Sequence, residues 1–294
     1  MDRVLSPDSL FSKKFHFLAK RFVPGATVES ALDAVRALNG GGMSATLDFL
    51  GEDVLEKQAA ISTRDAYITM IDKIRAAGAN TNVSVKLTAM GLLIDEDFAL
   101  ANLNSIIEHA KQNNDPFVRI DMEGSAVVDA TLRVFERAFA TNKNVGIVLQ
   151  AYLKRTAADV ERAIELGARV RLCKGAYNEP PEIAIKDMPS IRENYKKLAK
   201  ALLARGHYPG LATHDEELIA ELRHMAAALA VGKDKFEFQM LYGCRPALQR
   251  ELVANGYGMR VYVPFGTHWA GYFYRRVMER RENLWFAISS MFSN

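Results

Sequence analysis

Cysteine is scarce in this chain: two among 294 residues, Cys173 and Cys244, far apart and in no zinc-like or CxxC spacing. That excludes a disulfide framework and points to a reducing compartment. No apolar run reaches transmembrane length, and Met1-Asp-Arg-Val-Leu-Ser-Pro lacks the apolar core of a secretory signal, so a cytoplasmic protein is expected. The net charge of +3, without a block of like charges, gives no argument for nucleic acid. His, Asp and Glu do not gather at metal-ligand spacing, and no Cys or Ser stands beside a His as a nucleophile and its base. A metal site is therefore not expected. The GxGxxG dinucleotide fingerprint is missing, as are linkers, solenoid repeats and low-complexity segments.

What is present is a soluble globular composition, 49% hydrophobic and 25% charged. The length suits one large α/β domain or two ordinary ones. From residue 43 onward, short apolar runs alternate with longer amphipathic ones. The spacing predicts strands at 44–50, 83–87, 117–121, 145–150, 170–172, 211–213, 236–240 and 259–263. Helices are predicted at 64–77, 98–112, 127–140, 157–165, 189–203, 216–230 and 246–254, where apolar residues recur every three or four positions. Gly78, Gly167, Gly206, Gly232 and Gly256 stand where helices should stop. Near-continuous apolar strands separated by helices argue for a parallel sheet. Eight such units imply an α/β fold, a (β/α)8 TIM-like barrel over 43–294, with an N-terminal helical extension over 1–42. A doubly wound sheet is the alternative, weakened by the missing fingerprint.

In a barrel of this kind the site lies at the C-terminal ends of the strands. Those positions carry Lys86, Asp121, Gln150, Arg171 with Lys174, Thr213 with His214, Gln239 and Tyr262. Singly, each has a plainer reading: Lys86 could pair with Asp121, and His214 could cap the next helix. Seven of eight strands ending in a polar or charged residue is hard to assign to packing, since burying such groups together costs several kcal/mol unless they face ligand, water or each other. The last predicted helix adds Tyr272-Phe-Tyr-Arg275-Arg276-Val-Met-Glu279. Arg275 and Arg276 lie four and three residues before Glu279, so the three can share a helical face. Two planar guanidinium forks suit a carboxylate or phosphate in a way that one lysine cannot imitate. With Lys86, Arg171 and Lys174 set against Asp121 and Glu279, the balance suits an anionic ligand or cofactor.

These residues resemble the proline dehydrogenase family. Arg171-Leu-Cys-Lys-Gly-Ala-Tyr177 is similar to its R-L-V-K-G-A-Y signature. Phe-Glu-Phe-Gln239-Met-Leu241-Tyr-Gly, Val-Tyr262-Val-Pro-Phe-Gly and Tyr272-x-x-Arg275-Arg276-x-x-Glu279 follow in the family's order. Val85-Lys86-Leu-Thr, Ile120-Asp121-Met-Glu and Leu149-Gln150-Ala-Tyr-Leu also fit. The resemblance covers roughly residues 25–285. Two departures are Arg280, where the family usually has Asn, and Cys173, where Val is frequent.

The resemblance implies a distorted barrel holding FAD non-covalently, and a monofunctional enzyme at this length. Its implied reaction is oxidation of L-proline to 1-pyrroline-5-carboxylate by hydride transfer to flavin N5, the first step of proline degradation to glutamate. Electrons would then pass to quinone or another acceptor, with peripheral contact at the inner face of the membrane open. Lys86, Arg275 and Arg276 would hold the substrate carboxylate, and Tyr177, Leu241, Tyr262 and Tyr272 would wall the ring. Glu279 would orient the arginines and face the substrate nitrogen and cofactor; Asp121 completes the catalytic set. Gln150, Arg171, Lys174, Gly175, Ala176, Thr213, His214 and Gln239 would contact the flavin. Two rivals remain: a Schiff-base aldolase using Lys86, and a non-catalytic flavin or amino-acid binding barrel.

Overall fold

The computed structural model of the chain describes residues 21–267. Eight parallel strands close on themselves in sequence order, β1-β2-β3-β4-β5-β6-β7-β8. They are β1 Ser44–Phe49, β2 Thr81–Val85, β3 Val118–Ile120, β4 Val145–Gln150, β5 Val170–Cys173, β6 Gly210–Ala212, β7 Glu237–Leu241 and β8 Gly258–Phe265. The helices are α1 Val28–Gly40, α2 Lys57–Ala76, α3 Glu96–Ala110, α4 Val128–Thr141, α5 Thr156–Leu166, α6 Met188–Arg205, α7 Glu216–Ala228 and α8 Pro246–Ala254. The expected (β/α)8 barrel is therefore the observed fold. No helix among the described residues is long and apolar enough to cross a membrane.

Local chemistry starts and stops the helices. Asp95, Asp187 and Asp215 each accept a backbone N–H three residues on, from Phe98, Ser190 and Leu218, and so cap α3, α6 and α7. At the far end of α5, Gly167 takes φ +70, which a side chain would resist. Asp95 explains why α3 begins at Glu96, ahead of the predicted 98. α2 begins at Lys57, seven residues ahead of the predicted 64, because Ala60 packs into the core one turn earlier than the periodicity suggests.

The strands correct the sequence reading in a way that matters for function. Apart from β4 and β6, they are not continuously apolar; they alternate. Ala45, Leu47, Val83, Val85, Val118, Ile120, Ile147, Leu149, Phe238, Met240, Val261 and Val263 are buried in the apolar cluster shared with the helices. Between them, Thr46, Asp48, Asn82, Ser84, Arg119, Asp121, Arg171, Glu237, Gln239 and Arg260 are buried as well. Many of these polar side chains meet across the lumen, β5 reaching β2 and β7, and β3 reaching β8. The hydrophobic core is thus an annulus between sheet and helices, while the barrel's interior is polar, in contrast to the branched apolar layers usual for this architecture. Strand ends also shift: β2 stops at Val85 and β3 at Ile120, so Lys86 and Asp121 sit just beyond the sheet, where the backbone has turned toward the mouth.

Helix α1 packs against both β1 and β8 on the outside of the barrel, and its Ala31, Leu32, Ala34 and Val35 join the same core. The position between the last and first strands is filled from the N-terminal side.

Candidate active site

Asp121 is the hub. Its Oδ1 accepts Ser84 Oγ at 2.6 Å and an Arg171 guanidinium N–H at 2.9 Å; its Oδ2 accepts the Tyr262 hydroxyl at 2.7 Å. Four strands, β2, β3, β5 and β8, converge there. Burial works against its charge, but Lys86 and Arg171 outweigh burial and hold its carboxyl below the usual range.

Lys86, on the turn after β2, places Nζ 3.1 and 3.0 Å from the two carboxylate oxygens of Asp48 and 3.6 Å from Asp121. Asp48 points inward from β1 and is fully buried. Burial opposes the Lys86 charge, yet Asp48 and Asp121 together hold its ammonium above the ordinary value. Burial likewise pushes the Asp48 carboxyl up, and Lys86 only partly offsets it. A lysine held this firmly in its charged form is a poor amine nucleophile, which counts against the Schiff-base alternative.

Arg171 is fixed on every side. Its Nε donates to Gln239 Oε1, its terminal nitrogen to Ser84 and Asp121, and its guanidinium lies 5.2 Å from the Tyr262 ring centroid. Gln239 in turn donates to Glu237 at 2.6 Å, and Arg260 donates to the same Glu237 oxygen at 2.8 Å. An unbroken polar chain therefore runs from lower in the barrel to Arg171.

The rim carries the rest of the expected set. Gln150, on β4, donates to the Glu123 carbonyl at 3.0 Å. Lys174 pairs with Asp215 at 2.6 Å, the residue that also caps α7. Thr213 accepts the Asp215 N–H at 3.2 Å, and His214 accepts the Leu241 N–H at its Nε2 at 2.9 Å. So His214 bonds the end of β7 and does not cap the next helix. Gly175 has φ +122, and a Cβ there would lie 2.2 to 2.5 Å from the Tyr152 ring. Lys174, Gly175, Ala176, Tyr177, His214, Leu241 and Tyr262 are half-buried, whereas the layer beneath them is closed. Tyr272, Arg275, Arg276 and Glu279 lie outside the described residues.

Sequence reasoning missed Asp48, Ser84, Glu123, Asp215 and Glu237. Asp48 was visible as the one charge inside an apolar run. Glu123, two residues past Asp121, accepts both the Thr88 N–H and its hydroxyl, tying the turn after β2 to the end of β3. Among the described residues no group of three His, Cys, Asp or Glu side chains is placed to hold a metal ion. A groove on the helical exterior, between α4 and α5, is lined by Arg133, Arg155 and Arg162, but each is matched by a carboxylate, Glu96, Asp129 and Glu136 respectively. It is a solvated ion-pair lattice without the convergence seen at the barrel's mouth.

Comparison with known proteins agrees with this geometry. The family model described as Proline dehydrogenase matches residues 31–287. Proline dehydrogenase 1 of Bacillus subtilis is 40% identical over 273 residues, 93% of this chain and 90% of that protein. Proline dehydrogenase of Deinococcus radiodurans is 39% identical over 289 residues, 97% of this chain and 93% of that protein. Among solved structures, proline utilization A from Bdellovibrio bacteriovorus, inactivated by N-propargylglycine, superposes with a TM-score of 0.84 at 28% identity. That alignment covers 91% of this chain and a third (33%) of the larger protein. The polar-lumen barrel, the ordered motifs at its strand ends and relatives matched nearly end to end lead to one assignment: the chain belongs to the proline dehydrogenase family and is an oxidoreductase acting on proline.

Proposed function

We propose that the mouth of the barrel binds FAD non-covalently and oxidises L-proline to 1-pyrroline-5-carboxylate. The observation that carries this reading is the Asp121 hub, which fixes Arg171, Tyr262 and Lys86 around one opening. The donor set fits a flavin nucleotide. Arg171 and Lys174 supply positive charge, Gln150, Thr213 and Gln239 supply amide and hydroxyl groups, and His214 supplies an imidazole. Gly175, at φ +122 and packed against the Tyr152 ring, and the small Ala176 keep this stretch of backbone free of bulky side chains beside Lys174. When bound, the flavin supplies the hydride acceptor.

The chain's own residues do the positioning. In the described lumen, Lys86 and Arg171 face Asp48 and Asp121, so two cations already meet two carboxylates. An added substrate carboxylate needs further positive charge, and Arg275 and Arg276 are the residues proposed to bring it. The outer position between β8 and β1 is filled by α1, which supports assigning the segment with Tyr272, Arg275, Arg276 and Glu279 to the mouth. Tyr262 has its hydroxyl committed to Asp121 and so offers its ring face. With Tyr177, Leu241 and Tyr272 it would wall the substrate ring and exclude water. Glu279 would orient the arginines and face the ring nitrogen. Residues 1–42 serve in this reading as a helical extension and 43–294 as the catalytic barrel.

Of the exposed large apolar side chains among the described residues, Leu55, Leu93 and Ile183 lie on strand-to-helix connections at this same face, and Met188 opens α6 at the end of one of them. That supports an apolar acceptor such as quinone approaching there, with peripheral docking on the inner face of the membrane. The purified protein should be yellow, release its flavin on acid precipitation, and bleach with L-proline under anaerobic conditions. N-propargylglycine, which inactivated the Bdellovibrio protein, should inactivate this one. A colourless protein that FAD cannot reconstitute overturns the cofactor assignment. A borohydride-trapped adduct on Lys86 would restore the aldolase.

A further inference from the structure

The connection from β5 to α6 carries Lys174, Gly175, Ala176 and Tyr177, then turns back toward α6. It is secured at both ends. Near its start Lys174 pairs with Asp215. Near its close Ile185 donates to the Tyr152 carbonyl at 2.7 Å, and Lys154 donates to Ile183 at 2.9 Å. Between these anchors lies Glu179, two residues past Tyr177.

Glu179 is an acidic side chain only 7% exposed, in a connection whose other residues, Ala184 apart, are half-buried or exposed. Its Oε1 accepts the Ser125 N–H at 2.7 Å, and its Oε2 accepts the Ser125 hydroxyl. Ser125 opens the 3-10 turn Ser125–Val127 that runs directly into α4. The residue before it, Gly124, stands at the cap position with extended backbone and has no side chain to cap with. Val127, at the cap position of α4 itself, makes no side-chain cap bond either. The free N–H groups and positive end of this helical segment are therefore served by a carboxylate 54 positions away in sequence. The same contact sets the wall: a Cβ on Gly124 would lie 3.6 Å from Glu179 Oε1 and 3.9 Å from the Tyr177 ring, so glutamate, tyrosine and glycine form one packed corner.

We propose that Glu179 is a positioning residue for substrate binding: by capping the Ser125–Val127 turn it holds Tyr177 at the mouth, and so helps to set the shape of the proline pocket. Capping and positioning are one contact, made by a side chain that does not itself reach substrate. The inference rests on Tyr177 being part of the substrate wall.

Two variants separate the cap from the tether. Glu179→Ala removes both. Adding Gly124→Ser to it gives the helix a cap of its own, and the ordinary contact distances at Gly124 leave space for the hydroxymethyl. In the flavin-loaded enzyme, Glu179→Ala should raise the KM for L-proline, and the Kd of tetrahydrofuroic acid, by about tenfold, with kcat changed much less and flavin content retained. The double variant should recover Tm while KM and Kd stay raised. If KM and Kd recover together with Tm, the role is only structural and the proposal falls. Should Glu179→Ala not fold, Glu179→Gln, which keeps one acceptor for the Ser125 N–H, carries the same reading: a smaller rise in Kd supports the tether, and none overturns it. Tyr177→Ala tells the two layers apart. An unchanged Kd there refutes the wall, whereas a raised Kd there with a normal Kd in Glu179→Ala refutes the tether alone.

Discussion

Replacing Lys86 by methionine tests the electrostatic plan of the lumen directly. Methionine keeps most of the stem and removes the ammonium that lies 3.0 Å from Asp48 and 3.6 Å from Asp121. Asp121 keeps Arg171, Ser84 and Tyr262, so its charge remains compensated. Asp48 is different: its carboxylate is 1% exposed, and besides Lys86 it has only hydroxyl partners, Tyr67 at 3.5 Å and Tyr262, with no second cation among the described residues. Removing one partner of a buried ion pair costs about 3–5 kcal/mol. At about 2 °C per kcal/mol for a chain of this size, Tm should fall by roughly 6–10 °C near pH 8. The pH dependence has a definite sign. In the parent protein the raised Lys86 value keeps its contribution complete at all pH below the ordinary lysine range, so it does not vary between pH 5 and 8. In the variant Asp48, already raised by burial, loses its main compensation and rises further. A carboxyl raised in the folded state gains stability as pH falls toward that value, so the Tm gap between variant and parent should narrow from pH 8 to pH 5. Adding Asp48→Asn should recover most of the loss, because the uncompensated charge is then gone. Thermal melts at saturating flavin across that range measure all three. A loss below about 1 kcal/mol, flat with pH and unrelieved by Asp48→Asn, would refute the reasoning.

Arg275→Met and Arg276→Met should each weaken proline and tetrahydrofuroic acid binding by about one to two orders of magnitude, the double variant by less than the product, with flavin content normal. Titration of the analogue checks this, and unchanged affinity in both singles would remove the pair from the site. Gly175→Ala should lower both Tm and the flavin-to-protein absorbance ratio, since φ +122 and a Cβ within 2.5 Å of the buried Tyr152 ring leave no room to relax. Full flavin occupancy at the parent Tm would show that the backbone there yields.

The barrel was readable because each strand keeps an apolar outer face and each connection carries turn or capping residues. Lys86 and Asp121 could be picked out because they follow directly on such runs, and Arg171 and Tyr262 because they interrupt them. Asp48 shows only as a stray charge in Thr-Leu-Asp-Phe, with nothing in the run to say what it meets. Its partner lies 38 positions away and is brought near only when β1 and β2 pair, with Asp48 beside Ser84. Glu237 and Gln239 alternate with Phe238 and Met240 in plain sight, but a period of two does not say which face is the lumen. Ordinary expectation puts charge outside, and here it is inside. Glu179 was unreadable for a related reason: a 3-10 turn whose own cap residue is glycine gives no local sign of where its cap will come from.

The division of most strands into an apolar outer face and a polar inner one also bears on how the barrel finds its shear. Moving one strand by a single residue exchanges its two faces. For β1 that would press Asp48 into the layer of Tyr67, Met70 and Ile71 and turn Leu47 toward Arg171 and Asp121. For β7 and β8 it would strand Glu237 and Arg260 in hydrocarbon and split them from each other. Each such misplaced charge costs several kcal/mol, far more than a misplaced valine in a barrel filled with valines. The charges that equip the mouth for chemistry thus act during folding as registration marks. A lumen redesigned with apolar residues would keep the annulus that stabilises the barrel while losing the penalty that tells one shear from the next.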